Sequence, residues 1–189
     1  MISCTAGLKV AAHCMGDGAI RNAIEAGIAC IEHGSLASDA TFDPMVERGT
    51  FLVATTYLAD GMDVSRAAPE PRAKAAEVFP GSRATISKAI AEGVKVACGT
   101  DAPAIPHGKN AKELLALVER GMAPLQALRS ATTVAADLID AADRGRLEDG
   151  LVADVIAVPG DPLSDIGVIE DVRFVMKGGR VFRHDAEAG

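Results

Sequence analysis

Short apolar runs alternate with amphipathic stretches through most of the chain. Four runs lack proline and are rich in small and β-branched residues, and we predict each of them as a buried strand: Leu8–His13, Ile28–His33, Thr50–Thr56 and Val94–Thr100. The stretch after the first run repeats small and apolar residues at helical spacing, at Ile20, Ala23, Ile24 and Gly27. Because buried strands joined by helical crossovers form parallel sheets, the pattern predicts the α/β fold class.

Further helices are predicted from capping residues and from breakers. Ser38 is a typical first cap, and Gly49 a typical end, for a helix over residues 39–48. Residues 57–79 are less regular and hold two prolines and a glycine, so we expect a long loop that carries one helix. The stretch 81–93, directly ahead of the fourth strand, is predicted as a separate helix.

The pattern becomes β-rich towards the end of the chain. A last helix is expected to start near Pro124, since proline is well placed at a first helical position. The change begins at about residue 146. Residues 151–158 form a β-type run that ends at a proline and a glycine. The segment DVRFVMKGGRVFR then predicts two strands, and the pair Gly178 and Gly179 between them is a strong hairpin signal.

Composition and charge narrow the class of protein. Lys and Arg number 19 against 26 Asp and Glu, which gives a formal net charge of −7, and aromatic residues make up only 3%. Nucleic-acid binding needs clustered cations and stacking rings, so this composition argues against it. No apolar run approaches the ~18 residues of a membrane span, and the start MISCTAGLKV has no signal-peptide pattern. We therefore expect a cytoplasmic protein that does not bind membranes.

The four cysteines do not form a recognisable motif. They are Cys4, Cys14, Cys30 and Cys98, and no two have the CxxC spacing of a zinc ribbon or a redox site. The last three lie in or beside apolar runs, where cysteine behaves as a small hydrophobic residue. We expect free, buried thiols in a reducing compartment.

Polar residues that could bind a metal or take part in catalysis lie where three of the predicted strands end. His13 closes the first run, His33 closes the second, and Asp101 follows the fourth. The carboxyl ends of parallel strands share one face, and ligands bind there. Two imidazoles and a carboxylate on that face suit a catalytic divalent metal with an open position. An open doubly wound sheet and a segment of a (β/α) barrel both fit, although no GxGxxG follows the first strand to support a dinucleotide site.

Five segments carry a resemblance to a known family. They are KVAAHCMGDGAIRNAIEAGIACIEHGS, TTYLADG, EGVKVACGTDAP, ATTVAADLI with GRLEDGLVADVIAV, and VMKGGRVF, and they run through essentially the whole chain. With these segments the chain resembles the C-terminal part of an amidohydrolase-superfamily enzyme, in the branch of imidazolonepropionase-like proteins and Xaa-Pro or Xaa-Arg dipeptidases. IEHGS and GTDAP, in this order and spacing, are specific signals.

The resemblance implies an α/β architecture with two parts. Residues 1–145 would be the C-terminal half of a (β/α)8 TIM barrel, strands 5–8, with a metal centre at its C-terminal face. Residues 146–189 would be a β-rich C-terminal segment of a small β-sandwich to which both chain ends of the family contribute.

The resemblance also assigns roles to individual residues. His13 and His33 match the metal histidines of the fifth and sixth strands. Asp101 matches the aspartate of the eighth strand, which binds the metal and moves a proton from water to the leaving amine. Tyr57 and His107 match positions that face the substrate in dipeptidase-like relatives. The implied cofactor is a divalent metal, zinc above all, with one or two ions in the complete enzyme.

The chain departs from the family pattern in one respect. Family members carry an HxH pair on the first barrel strand and a carboxylated lysine or a glutamate on the fourth, and this sequence has no HxH. Because Leu8–Ala12 corresponds to the fifth strand, strands one to four are expected to be missing. Half a barrel exposes two strand edges and an inner face, so we expect a homo-oligomer or other self-association.

Three functional hypotheses follow. The first is a metal-dependent hydrolase that cleaves an amide bond in a small peptide-like substrate, a peptide or an N-acyl amino acid, here as a fragment that lacks the HxH and the bridging lysine. The second is a catalytically silent partial domain or subunit that needs a partner to supply the missing half barrel. The third is an unrelated α/β binding module in which the histidines at the strand ends are incidental.

Overall fold

The computed structural model describes residues 7–65 and 67–185, and it contains two separate sheets. The first sheet is parallel, in the order β1-β2-β3-β4, and its strands are β1 (Ala11–Gly16), β2 (Cys30–Leu36), β3 (Phe51–Val53) and β4 (Val96–Ala97). The second sheet is antiparallel and consists of β5 (Val155–Ala157), β6 (Phe174–Lys177) and β7 (Arg180–His184). The predicted α/β class and parallel sheet are thereby confirmed.

Helices connect the parallel strands and continue beyond them. They are α1 (Asp17–Glu25), α2 (Asp39–Arg48), α3 (Leu58–Gly61), α4 (Pro69–Ala91), α5 (Ala111–Glu119), α6 (Pro124–Ser130) and α7 (Thr133–Leu138), and a 3-10 helix spans Ile166–Glu170. No helix in the part of the chain that the structure describes is long and apolar enough to cross a membrane.

The parallel sheet buries both of its faces in different ways. One face contributes Ile31, Leu52 and Val96 to the main core, which also contains Ile20 and Ile24 of α1. The opposite face carries a smaller cluster of Cys30, Phe51, Val53 and Ala97, against which Val134 and Leu138 of α7 pack. Because adjacent strand residues point to opposite faces, β3 contributes Leu52 to one cluster and Phe51 and Val53 to the other.

The first strand is the least buried strand of the parallel sheet, which differs from the prediction. The predicted run 8–13 becomes a strand over Ala11–Gly16, and Cys14 is its one buried residue. Among the described residues β1 pairs with β2 alone, so one of its edges has no strand beside it. A strand at the edge of a sheet remains exposed even when its sequence is apolar.

Helix α2 agrees with the prediction to the residue. It spans Asp39–Arg48 and ends at Gly49, whose left-handed φ of 66° closes the last turn. The Ser38 hydroxyl makes no capping bond to the backbone, and the Ser38 N–H instead donates to Oδ1 of Asp17 at 2.8 Å. The position of the cap was therefore predicted correctly, but its hydrogen bond was not.

The structure differs from the prediction over residues 57–93. The sequence predicts a long loop over residues 57–79 that carries one helix, followed by a separate helix over 81–93. A single helix of 23 residues, α4, runs through Pro80 and Gly81. Its first prolines stand in the opening turn, where a missing N–H costs nothing, and its later part packs Ile86 and Ala89 into the main core. Burial of this face against β2 outweighs the local helix-breaking tendency of the proline and the glycine.

The helix predicted near Pro124 is divided in two. Helix α6 ends at Ser130, and α7 begins at Thr133. Between them the Ser130 carbonyl accepts the Cys98 N–H at 3.0 Å, which ties the break to the end of β4. The division follows from this long-range hydrogen bond.

The predicted hairpin near the end of the chain is confirmed. Gly178 and Gly179 both have positive φ, 55° and 78°, as the two central residues of a tight hairpin require. The Gly178 N–H also donates to Oδ1 of Asp154 at 2.8 Å. Strand β5, which precedes the two strands of the hairpin, is shorter than the predicted run 151–158, since its pairing with β6 extends only over Val155–Ala157.

Candidate functional site

Two histidines come together on adjacent strands. In the parallel register His13 lies opposite Glu32, one residue before the point where Cys14 lies opposite His33. Nδ1 of His13 is nevertheless 3.1 Å from Nε2 of His33, and the two rings meet edge to face with centroids 4.5 Å apart. The two predicted metal ligands are adjacent, although 20 residues separate them in the sequence.

The two imidazoles differ in their surroundings. His13 is exposed, whereas His33 is 9% exposed. Burial lowers the pKa of His33, and the neighbouring His13 lowers it further, while the charges of Asp101 and Glu32 act in the opposite direction. His33 is thereby biased towards the neutral imidazole, which is the form that binds metals.

The second ring nitrogen of His33 contacts a threonine. Nδ1 of His33 is 2.7 Å from Oγ1 of Thr55, which follows β3. The Thr55 hydroxyl also donates to the Ala54 carbonyl at 2.8 Å. A metal histidine commonly uses its other nitrogen in this way, to bond an oxygen that orients the ring.

Strained backbone is concentrated at this edge of the sheet. Three residues other than glycine have left-handed φ here: 69° at His33, 45° at Thr55 and 50° at Asp101. Such conformations cost of order 1–3 kcal/mol each and occur preferentially at functional sites. His33 lies within β2, one residue after the last pairing of β2 with β3, and Thr55 and Asp101 follow β3 and β4. The predicted strand end at His33 is wrong, since β2 continues to Leu36.

Asp101 contributes charge to this region rather than a ligand contact. Its side chain is exposed, and its charge favours the protonated form of His33. Among residues 7–65 and 67–185, no three His, Cys, Asp or Glu side chains form a group that could hold a metal ion. The described part of the chain thus assembles a pair of nitrogen donors, and the predicted role of Asp101 as a ligand stays a prediction.

Tyr57 and His107 are placed on the segments that follow β3 and β4. Tyr57 is half-buried, and its ring lies over Gly61, where a Cβ atom would be 2.4 Å from Cε1 of Tyr57. Gly61 is therefore required for this ring position. His107 is exposed in the turn before α5. The proposed contact of both side chains with substrate stays a prediction.

Glu113 is a buried acid that the sequence reasoning missed. It is 1% exposed, and its carboxylate accepts the N–H groups of Thr56 at 2.7 Å and Tyr57 at 2.8 Å. Burial raises the pKa of the Glu113 carboxyl to about 7, even though these two N–H donors lower it. The available signal was its position in α5, since Glu113 shares the apolar helix face of Ala116 and Leu117.

The three cysteines of the described residues carry free thiols. Cys14 and Cys30 are buried and Cys98 is half-buried, and all three are free, as predicted, while Cys4 lies outside the described residues. Burial raises the pKa of the Cys30 and Cys98 thiols to about 12. At neutral pH these groups are protonated and are therefore poor nucleophiles.

Comparison with known proteins agrees with this fold and site. The model of the amidohydrolase family matches residues 3–182. Ochratoxinase from Aspergillus niger is 37% identical over 183 residues, which is 92% of this chain and 38% of that protein. The chain belongs to the amidohydrolase family, as its motifs predicted.

Solved structures of hydrolases superimpose on nearly the whole chain. A Xaa-Pro dipeptidase with methionine bound in its active site matches with a TM-score of 0.89 and 40% identity, over 96% of this chain and 46% of the dipeptidase. A prolidase in complex with N-methylphosphonate-L-proline matches with a TM-score of 0.84 and 33% identity, over 95% of this chain and 46% of the prolidase. The chain thus spans less than half the length of the relatives it matches.

Proposed function

We propose that this chain is part of a metal-dependent hydrolase that cleaves an amide bond in a small peptide-like substrate, either a peptide or an N-acyl amino acid. One observation carries the proposal: two imidazole nitrogens, one each from His13 and His33, converge within 3.1 Å on the adjacent parallel strands β1 and β2. The names of the relatives support the substrate class, since they include a Xaa-Pro dipeptidase, a prolidase and ochratoxinase.

The histidine pair fits a zinc ion as two of its ligands. Two nitrogens bound to one tetrahedral zinc at about 2.0–2.1 Å stand roughly 3.3 Å apart, close to the observed separation of 3.1 Å. Amidohydrolase superfamily members are generally metal-dependent, so zinc held by His13 and His33 is the proposed cofactor. When bound, such an ion lowers the pKa of water towards neutrality and polarises the carbonyl to be cleaved.

The residues of this chain have distinct proposed roles. His33 is held neutral by its burial and offers one lone pair, while the exposed His13 offers the second. Asp101 is solvent-accessible and its charge acts on His33, so its carboxylate is the proposed group that takes a proton from water and passes it to the leaving nitrogen. Tyr57 and His107, on the segments that follow β3 and β4, are the proposed substrate contacts.

The wider organisation of the molecule belongs to the same proposal. We assign residues 1–145 to strands 5–8 of a barrel and residues 146–189 to a sandwich segment, since the parallel sheet lies in the first part and the antiparallel sheet in the second. The remaining metal ligands would come from elsewhere in a complete barrel. The free Cys14, Cys30 and Cys98 agree with the reducing environment of the cytoplasm.

Metal content and turnover test the proposal separately. In the complete enzyme we expect His33→Ala to lose most of the bound zinc, and Asp101→Asn to keep zinc but hydrolyse a Xaa-Pro dipeptide at least 100-fold more slowly. His184→Ala is the matched control, because the His184 ring meets Phe174 edge to face in the separate antiparallel sheet. Unchanged zinc stoichiometry in His33→Ala would overturn the assignment.

A further inference from the structure

We propose that Thr55 is a positioning residue that determines which nitrogen of His33 carries the proton, and so which nitrogen is free to bind a ligand. The part of this inference that concerns metal affinity rests on the proposed function, whereas the part that concerns the proton on His33 does not.

The argument begins with the single hydrogen of the Thr55 hydroxyl. The Ala54 carbonyl can only accept, and it lies 2.8 Å from Oγ1 of Thr55, so this hydrogen is directed to Ala54. Oγ1 of Thr55 can then only accept from Nδ1 of His33, which lies 2.7 Å away. With this assignment of the hydroxyl hydrogen, the neutral form of His33 carries its proton on Nδ1.

A proton on Nδ1 leaves the lone pair of His33 on Nε2. This is the nitrogen that faces Nδ1 of His13 at 3.1 Å. If the proton were on Nε2 instead, it would point into the space between the two rings and occupy the position that a shared ligand needs. Thr55 thus orients His33 and also makes the correct nitrogen available.

The fold holds Thr55 in a conformation that it would not adopt by itself. Its φ of 45° is unfavourable for a β-branched residue, and its side chain is buried. Gly99 makes room beside it, because a Cβ at that position would lie 2.3 Å from Cγ1 of Val53 and 3.4 Å from Cγ2 of Thr55. Strain that is retained in this way is expected where a side chain has a function.

The next residue provides a matched control. Thr56 is also buried, but its hydroxyl has no hydrogen-bond partner among the residues that the structure describes. Thr56→Val therefore removes the same group from the same environment without touching His33. Thr55→Val removes the acceptor with little change in side-chain shape, and Thr55→Ser restores it.

The experiment measures the proton position and zinc affinity in the full chain. In 15N NMR spectra of the metal-free protein at pH 8, His33 is expected to show the Nδ1–H form in wild type, Thr55→Ser and Thr56→Val. In Thr55→Val it should shift towards the Nε2–H form. Zinc titration should give 10–100-fold weaker binding for Thr55→Val than for the other three proteins.

The two readouts separate this inference from the proposed function. If His33 carries its proton on Nδ1 to the same extent in Thr55→Val as in wild type, Thr55 does not select the tautomer and the inference is wrong. If zinc binding in Thr56→Val falls as far as in Thr55→Val, the effect is structural and the inference is equally wrong. If no protein binds zinc while the tautomer shifts as expected, the role of Thr55 stands and the proposed function fails.

Discussion

The buried carboxylate of Glu113 accepts the backbone N–H of Tyr57 at 2.8 Å, although 56 residues separate the two in the sequence. This bond joins α5 to the segment that follows β3. Arg120, about two helical turns after Glu113, forms an ion pair with Asp60 in the same segment. The loop that carries Thr55 and Tyr57 is therefore held by the helix behind it.

Removal of the Glu113 side chain should destabilise the protein. Glu113→Ala leaves the N–H groups of Thr56 and Tyr57 without their acceptor and opens a cavity in α5, so we expect a loss of about 2–4 kcal/mol in the free energy of unfolding. Urea denaturation at pH 5.5 measures this loss. Glu119→Ala on the exposed side of the same helix should stay within about 0.5 kcal/mol of wild type.

The same carboxyl makes stability depend on pH. Burial raises the pKa of Glu113 from 4.5 to about 7 in the folded protein, so the folded state binds this proton more tightly than the unfolded state. Its contribution to stability is fully present below pH 4.5 and is lost as the pH rises through about 7. The free energy of unfolding of wild type minus that of Glu113→Gln should fall by about 2–3 kcal/mol between pH 5 and pH 8. A constant difference across this range would contradict the assignment.

A methyl group at Gly99 should disturb the strand ends. Gly99→Ala places a Cβ 2.3 Å from Cγ1 of the buried Val53, and we expect about 1–3 kcal/mol of destabilisation. Gly18→Ala in α1 is the control, because nothing lies within 4 Å of a Cβ there and alanine favours the helix. Thermal unfolding should therefore shift in opposite directions for the two variants.

Asp17 links the start of α1 to the start of α2. Hydrogen bonds from the Thr41 hydroxyl and then the Ser38 N–H lower the pKa of Asp17 to about 2. We expect Asp17→Ala to cost about 1–3 kcal/mol at pH 7. Because the folded pKa is depressed, this contribution is present above pH 3.8 and is lost as the pH falls towards 2. Urea titrations should show that the difference in free energy of unfolding between wild type and Asp17→Ala decreases towards zero at low pH. Asp43→Ala, at an exposed position, should show no such difference.

Self-association is the fifth prediction. Leu8, Val10 and Met15 are exposed along or beside the edge strand β1, and an exposed apolar edge favours pairing with another chain. Sedimentation should show concentration-dependent association that Met15→Lys weakens and Leu147→Lys, at an exposed position remote in sequence, does not. A monodisperse monomer that melts cooperatively at every concentration would rule this out.

Local signals predicted the elements whose ends depend on local chemistry. The bounds of α2 and the hairpin at Gly178 and Gly179 were correct, because a left-handed glycine acts within a few residues of itself. The course of α4 was not predicted, since burial of Ile86 against the sheet overrides the local effect of Pro80. The extent of β1 was shifted by three residues because a strand ends where its partner ends.

The sequence by itself determined the alternation of parallel strands with helices and the assignment of His13 and His33 to two of those strands, since periodicity and motif spacing are properties of the chain. Only the tertiary structure decided that Nδ1 of His33 meets Thr55, 22 residues away. No spacing rule predicts such a bond. It exists because parallel strands bring distant residues to one edge of the sheet, where each hydrogen-bond donor must find an acceptor.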